Sequence, residues 1–422
     1  MIVDNTKTVL AMDKIYFESP ESWEEGLFDS TEYAMELDSR NPVLEGVCNR
    51  LGINNTEIKI IIKELNKRYR AIGIEEGVPK SVKNWLSGTP VNPAYRTNLY
   101  NLCLALELNL EETIEFFLKN YLTIPFNYKD RIDAIYFYGM SNQLNYHTIK
   151  EMIIEFGDDD NQITKSDEKT EMIGWNIAEI DDLEIFKEYL KQHTYSKKDQ
   201  YNTAVKEIND LIIENARYAE IERCLKPELK KAREDKEGNL GTVSSLFRNS
   251  EKDNNVNIAG LLYIIYGYDN QDRYSSHKAK ISKCESLPKA FRENFPNDIE
   301  ISRIIRKEAS PDVYRKAIII MKFYNYFGSN LIMSIYGTDQ VSDKSKKIMS
   351  IQEYRERDSE EIEKDLDDFY IETSNTLAKC GFVQMYARNP FDWLILYCAK
   401  STDPLDAFRE LLMQRYTDMD EV

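Results

Sequence analysis

The sequence is poor in the groups that carry chemistry. Its three histidines, His147, His193 and His277, stand far apart, and none has a cysteine or carboxylate at metal-ligand spacing. That spacing argues against a zinc site. The six cysteines, at 48, 103, 224, 284, 380 and 398, form no CxxC pair and fall mostly on apolar helical positions, as reduced core residues do. No glycine-rich loop follows a strand pattern, and GxxxxGKS/T, GxSxG and HExxH are all missing. A nucleotide-hydrolysing or serine-hydrolase reading therefore has no residues to stand on, and the expectation is a non-enzyme without metal or cofactor. Asp158, Asp159, Asp160 and Asn161 form an acidic cluster that lacks the glycine and distal glutamate of a calcium loop, so it reads as solvated linker. Pro311-Asp312 followed by Arg315-Lys316 has the outline of a nuclease motif, but its context is helical and no acidic strand partner accompanies it. Long apolar runs are absent too. IKIIIKEL at 58–65 and AIIIMKFY at 317–324 are broken by lysine well short of the ~18 residues a membrane span needs. The first residues have no basic start, apolar core or small-residue cleavage site, and the expectation is a cytoplasmic protein off the membrane.

Glycine (16) and proline (12) are scarce among 422 residues, while Glu, Lys, Leu, Ile, Asn and Tyr recur in long stretches of helical period. The fold class expected is all-α and multi-helical. Net charge is -18. Residues 1–54 read as an acidic N-terminal segment, 55–156 as a helical domain, 172–255 as a helical connector and 256–422 as a helical C-terminal domain with an acidic insertion at about 338–378. Polar stretches at 157–171 and 230–255 mark the joints. Within the insertion, residues 351–372 hold ten acids and three bases on a helical pattern. The ordinary reading of such a run is a solvated face, and the sharper one is a docking surface for a basic partner.

Residues 78–117 carry the most informative pattern. Val82, Trp85 and Leu86 give a short helix one apolar face, with Pro79 suited to its first turn and Gly88 to its stop. Its other face offers Lys80, Ser81, Lys83 and Asn84, which suit phosphate and base edges. After an Asn92-Pro93 turn, Leu99, Leu102, Cys103 and Leu106 continue on a second helix. Asn109 with Glu112 caps a third, bearing Leu110, Ile114 and Phe117. From Val78 to Phe117 this layout resembles the phage-repressor (Cro/XRE) helix-turn-helix family, in which a recognition helix ending in Trp-x-x-Gly is followed by Asn-Pro, a Leu-rich helix and a short final helix. The resemblance implies that Lys80 to Asn84 face the major groove of DNA and that Arg96 lies near a phosphate. Upstream, where the family has Gln and Ala, this chain has Tyr69 and Gly73, and the turn between the helices is about one residue short. Eight bases against four acids between Glu57 and Arg96 make a local +4 in an otherwise acidic chain.

The segment 82–106 also aligns without gaps on 301–325, a shift of 219 that sets Tyr95-Arg96 on Tyr314-Arg315. Residues 133–153 align on 392–412, a shift of 259 that sets Asp133 on Asp392. Diverged internal duplication and the shared periodicity of helical hairpins both account for this. In the later copy Lys307 replaces Gly88 and Asp312 replaces Pro93, which weakens the stop and the turn, while Arg303, Arg306, Lys307 and Arg315 suggest a second basic surface. Two functions compete, beside a third alternative of an enzyme whose tyrosines and acids build a site that no linear motif shows. One is a DNA-binding regulator of bacterial or phage type whose C-terminal part dimerises or senses a signal. The other is an acidic, non-catalytic interaction factor, an inhibitor or accessory protein of a basic nucleic-acid enzyme. Duplex DNA, a protein partner and a second copy of the chain are the corresponding partners.

Overall fold

In the computed structural model the described residues are 23–53, 57–89, 91, 95–156, 170–193, 200–233, 257–268, 281, 284–336 and 356–417, and among them every regular element is helical. The all-α expectation is met. The Asn92-Pro93 turn, the Asp158–Asn161 cluster, His277, most of both expected joints and the side chain of Cys224 lie outside the described residues. In chain order the first helices are α1 (Trp23–Ser39), α2 (Pro42–Leu51), α3 (Ile58–Ala71), α4 (Lys80–Leu86), α5 (Arg96–Ala105) and α6 (Leu110–Phe116), which runs on into a π-helical turn, Phe117–Tyr121. Next come α7 (Arg131–Ser141), α8 (Tyr146–Phe156), α9 (Thr170–Ala178), α10 (Leu183–His193) and α11 (Asn202–Arg233). The remainder are α12 (Ile258–Ile265), α13 (Lys289–Arg292), α14 (Asp298–Ile305), α15 (Pro311–Tyr336), α16 (Ser359–Lys379), α17 (Pro390–Ala399) and α18 (Pro404–Thr417). No helix among the described residues is long and apolar enough to cross a membrane.

The chain divides into two compact units. One comprises Ser39–Thr203 with Ala378–Val383. Its boundaries differ from those expected at 54 and 157, and the packing gives the reason. Asn41 caps α2 by accepting from Leu44 N–H, and its amide donates to the carbonyls of Trp85 and Leu86 at 2.9 and 3.0 Å, so α2 and the end of α4 share one side chain. At the other end Tyr138 of α7 stacks on Phe186 of α10 at 3.8 Å and its hydroxyl donates to Asp181 O, which holds α10 to the same core. Tyr100 lies at the middle of that core, stacked on Tyr136, Phe117 and Phe126 at 4.4, 5.0 and 5.3 Å. Asn109 and Glu112 form the capping box the sequence indicates at the start of α6.

The rest of the described residues form the other unit, built around α15. Asn215 of α11 donates to Met321 O at 2.9 Å, and Glu222 of α11 accepts from Tyr324 and pairs with Arg409 at 2.8 Å, so charge burial is compensated at each step. The acidic N-terminal segment does not act as one piece. Its described part before Ser39 is helical and enters this unit: Trp393 donates to Ser30 Oγ at 2.8 Å, and Asp38 accepts from the first N–H groups of α13.

Candidate nucleic-acid interface

The helix α4 is short, so its orientation depends on what it buries. Val82, Trp85 and Leu86 are all in the core, at the spacing the sequence indicates. Its C-terminal stop is a Schellman turn: Thr89 N–H donates to Asn84 O, Gly88 N–H donates to Trp85 O, and Gly88 adopts φ +90°. With that face fixed inward, Lys80 and Asn84 are exposed and Lys83 is half-buried, and neither lysine enters an ion pair among the described residues. Ser81 is half-buried, and its hydroxyl oxygen accepts from Asn98 Nδ2 of α5 at 2.9 Å. Ser81 thus joins α4 to α5.

Upstream the geometry departs from a helix-turn-helix. The helix α3 continues to Ala71, with Tyr69 fully buried in it, and residues 72–79 connect it to α4. This connector is longer than the ~3–4 residues of the motif's turn, not shorter. It is fastened by Asn66 of α3, whose side-chain oxygen accepts from Val78 N–H at 2.9 Å. Gly77 makes that approach feasible: it has φ +70°, and a Cβ there would lie 2.3 Å from Asn66 Oδ1.

Arg96 is placed inside the unit rather than at a phosphate. Its Nε and Nη2 donate to both oxygens of Asp133 at 2.9 and 2.6 Å, and it also donates to the carbonyls of Ile124 and Pro125 and to the Tyr100 hydroxyl. Asp133 is 1 % exposed and takes a further N–H from Asn127 at 2.7 Å. Burial works against the Arg96 charge, but Asp133 and Tyr100 beside it outweigh that and hold its pKa above the ordinary arginine value. Held against a buried carboxylate and two carbonyls, Arg96 points into the unit, and its role is to tie α5 to α7.

The four residues suggested as a second basic surface are placed differently from one another. Arg303 pairs with Glu300 at 3.0 Å and donates to Glu308 O, Arg306 pairs with Glu308 at 3.0 Å, and Lys307 is the residue at the left-handed stop of α14. Arg315 is interior. It grips both oxygens of Asp392 at 2.8 and 2.5 Å and donates to Gln384 O, while Asp392, with no exposed surface, also accepts Tyr386 N–H at 2.7 Å.

These contacts reproduce those of Arg96 at the two shifts read from the sequence. In each case the aspartate takes an N–H from the residue six positions earlier, and an Asp or Asn three positions earlier, Asp130 or Asn389, caps its helix. The helix stop recurs as well: Lys307 N–H to Ile304 O and Glu308 N–H to Arg303 O match Gly88 to Trp85 and Thr89 to Asn84. Lys307 holds φ +59° there, so the stop expected to weaken with loss of glycine is kept by a lysine. Ion pair and stop together were legible only by comparing the chain with itself.

Among the described residues no group of three or more His, Cys, Asp or Glu is placed to hold a metal ion. No family model matches the chain, and neither do any curated protein or solved structure.

Proposed function

We propose that the chain is a DNA-binding regulator in which α4 reads duplex DNA and the unit built around α15 serves dimerisation or sensing. The observation that carries this reading is the orientation of α4. Val82, Trp85 and Leu86 anchor one face in the core, so Lys80, Lys83 and Asn84 project from the other without ion-pair partners among the described residues. Free lysines on a fixed helix are suited to neutralising phosphate, and an exposed asparagine can pair with adenine. Lys80→Glu/Lys83→Glu in the full chain should lower affinity for duplex DNA at low salt by at least about tenfold, given ~1–3 kcal/mol per contact, with the melting temperature unchanged. Equal affinity of variant and parent would sink this function.

The competing reading is an acidic interaction factor, and the solvent face of α16 favours it. Glu360, Glu361, Glu363, Asp367 and Asp368 are all exposed there, above a buried face of Leu366, Phe369 and Leu377. It expects no binding to DNA at moderate salt and a complex with a basic protein that dissociates as salt rises.

A further inference from the structure

The sequence directs attention to α4, but the larger basic surface lies on α3. Ile61, Leu65 and Tyr69 turn one face of α3 into the core. At about 100° per residue, Lys59, Lys63, Lys67 and Arg70 fall within an arc of roughly 80° on the opposite side. All four are exposed. The acids of this helix and its cap, Glu64 and Glu57, lie to one flank of that arc. Lys59, Lys63 and Arg70 enter no ion pair among the described residues, and Lys67 meets Glu64 at 2.9 Å with two thirds of its side chain in solvent, where such a pair is screened and easily exchanged.

We infer that this stripe is a rail for the phosphate backbone of duplex DNA, and that it makes most of the binding independent of sequence. The inference rests on the proposed DNA-binding function. From Lys59 to Arg70 the helix rises about 16 Å, and its bases are about 4.5–6 Å apart, a spacing from which flexible side chains reach successive phosphates of one strand. A second observation ties the rail to α4. Asn66 lies at the edge of the basic arc and holds Val78 N–H, so the connector is pinned there two residues before Lys80 begins α4. In a chain of net charge -18, phosphate is repelled by most of the surface and drawn to this one.

The test uses the full chain and a labelled duplex of mixed sequence about 30 base pairs long, with affinity measured across a salt series. Lys59→Gln/Lys63→Gln/Arg70→Gln should reduce the slope of log affinity against log salt by about 3, close to 0.9 for each phosphate contact removed. Restoring the charge with Lys59→Arg/Lys63→Arg/Arg70→Lys should restore the slope, which loss of fold would not allow. A triple Gln variant with the parent's slope, while Lys80→Glu/Lys83→Glu weakens binding, overturns the rail and leaves α4 as the DNA-binding element. A parent chain that binds no duplex at low salt overturns both.

Discussion

Cys103 has no exposed surface, and burial pushes its thiol up to about 12. The folded value lies above the ~8.5 of an unfolded cysteine, so this group favours the fold below about pH 8.5 and that contribution is lost as pH rises through 12. A thiol held protonated is a poor nucleophile. Alkylation at pH 8 followed by peptide mass spectrometry should modify half-buried Cys48 in the native chain and Cys103 only after denaturation; equal native rates would contradict this. Residue identity on the inward faces was well encoded. Val82, Trp85, Leu86, Leu99, Leu102, Cys103 and Leu106 are all buried, because a 3.6-residue period reports directly on which side of a helix meets the core. Arg96 was misplaced for the converse reason. Its partner, Asp133, is 37 residues away on another helix, and periodicity says nothing about which charge another helix will bring.

At the scale of elements, connectors were harder to read than helices. The turn between α3 and α4, expected to be about one residue short, is the longer connector 72–79, since its fastening depends on a side chain of the preceding helix and on one glycine. Two glycines of this region separate the causes. Gly88 has φ +90° but nothing within 4 Å of a Cβ, so Gly88→Ala should cost about 1–2 kcal/mol through backbone strain alone. Gly77 has φ +70° and Asn66 Oδ1 in the way, so Gly77→Ala should cost more and should also release the connector. Urea melts of both variants, with amide exchange at Val78, would measure this. Equal costs and an unchanged Val78 would refute the role of the clasp. The stop of α14 makes the same point about side chains: it has the backbone hydrogen bonds of the α4 stop although lysine stands at the position that aligns with Gly88.

At the scale of the whole molecule, the two Arg–Asp pairs each bury their carboxylate almost completely. Removing one partner leaves a buried carboxylate uncompensated, which costs ~3–5 kcal/mol. Arg96→Ala and Arg315→Ala should each destabilise by this amount. The pairs belong to separate units and share no partner, so the two losses should add within about 0.5 kcal/mol in the double variant. Denaturant unfolding of the full chain measures all three, and a double variant no worse than one single variant would show that the two pairs are coupled rather than independent. The domain boundaries expected from polarity alone missed this organisation, because α2 and α10 are recruited by Asn41, Tyr138 and Phe186 rather than by any change in composition.

The pairs also differ in reach. Arg96 and Asp133 are 37 positions apart, whereas Arg315 and Asp392 are 77 apart, and a doubling of the enclosed chain adds about 0.6 kcal/mol of closure entropy. During synthesis the earlier pair is complete long before the arginine of the later one has been made. The shorter loop therefore has both its ends available to pair while the longer one is still being made.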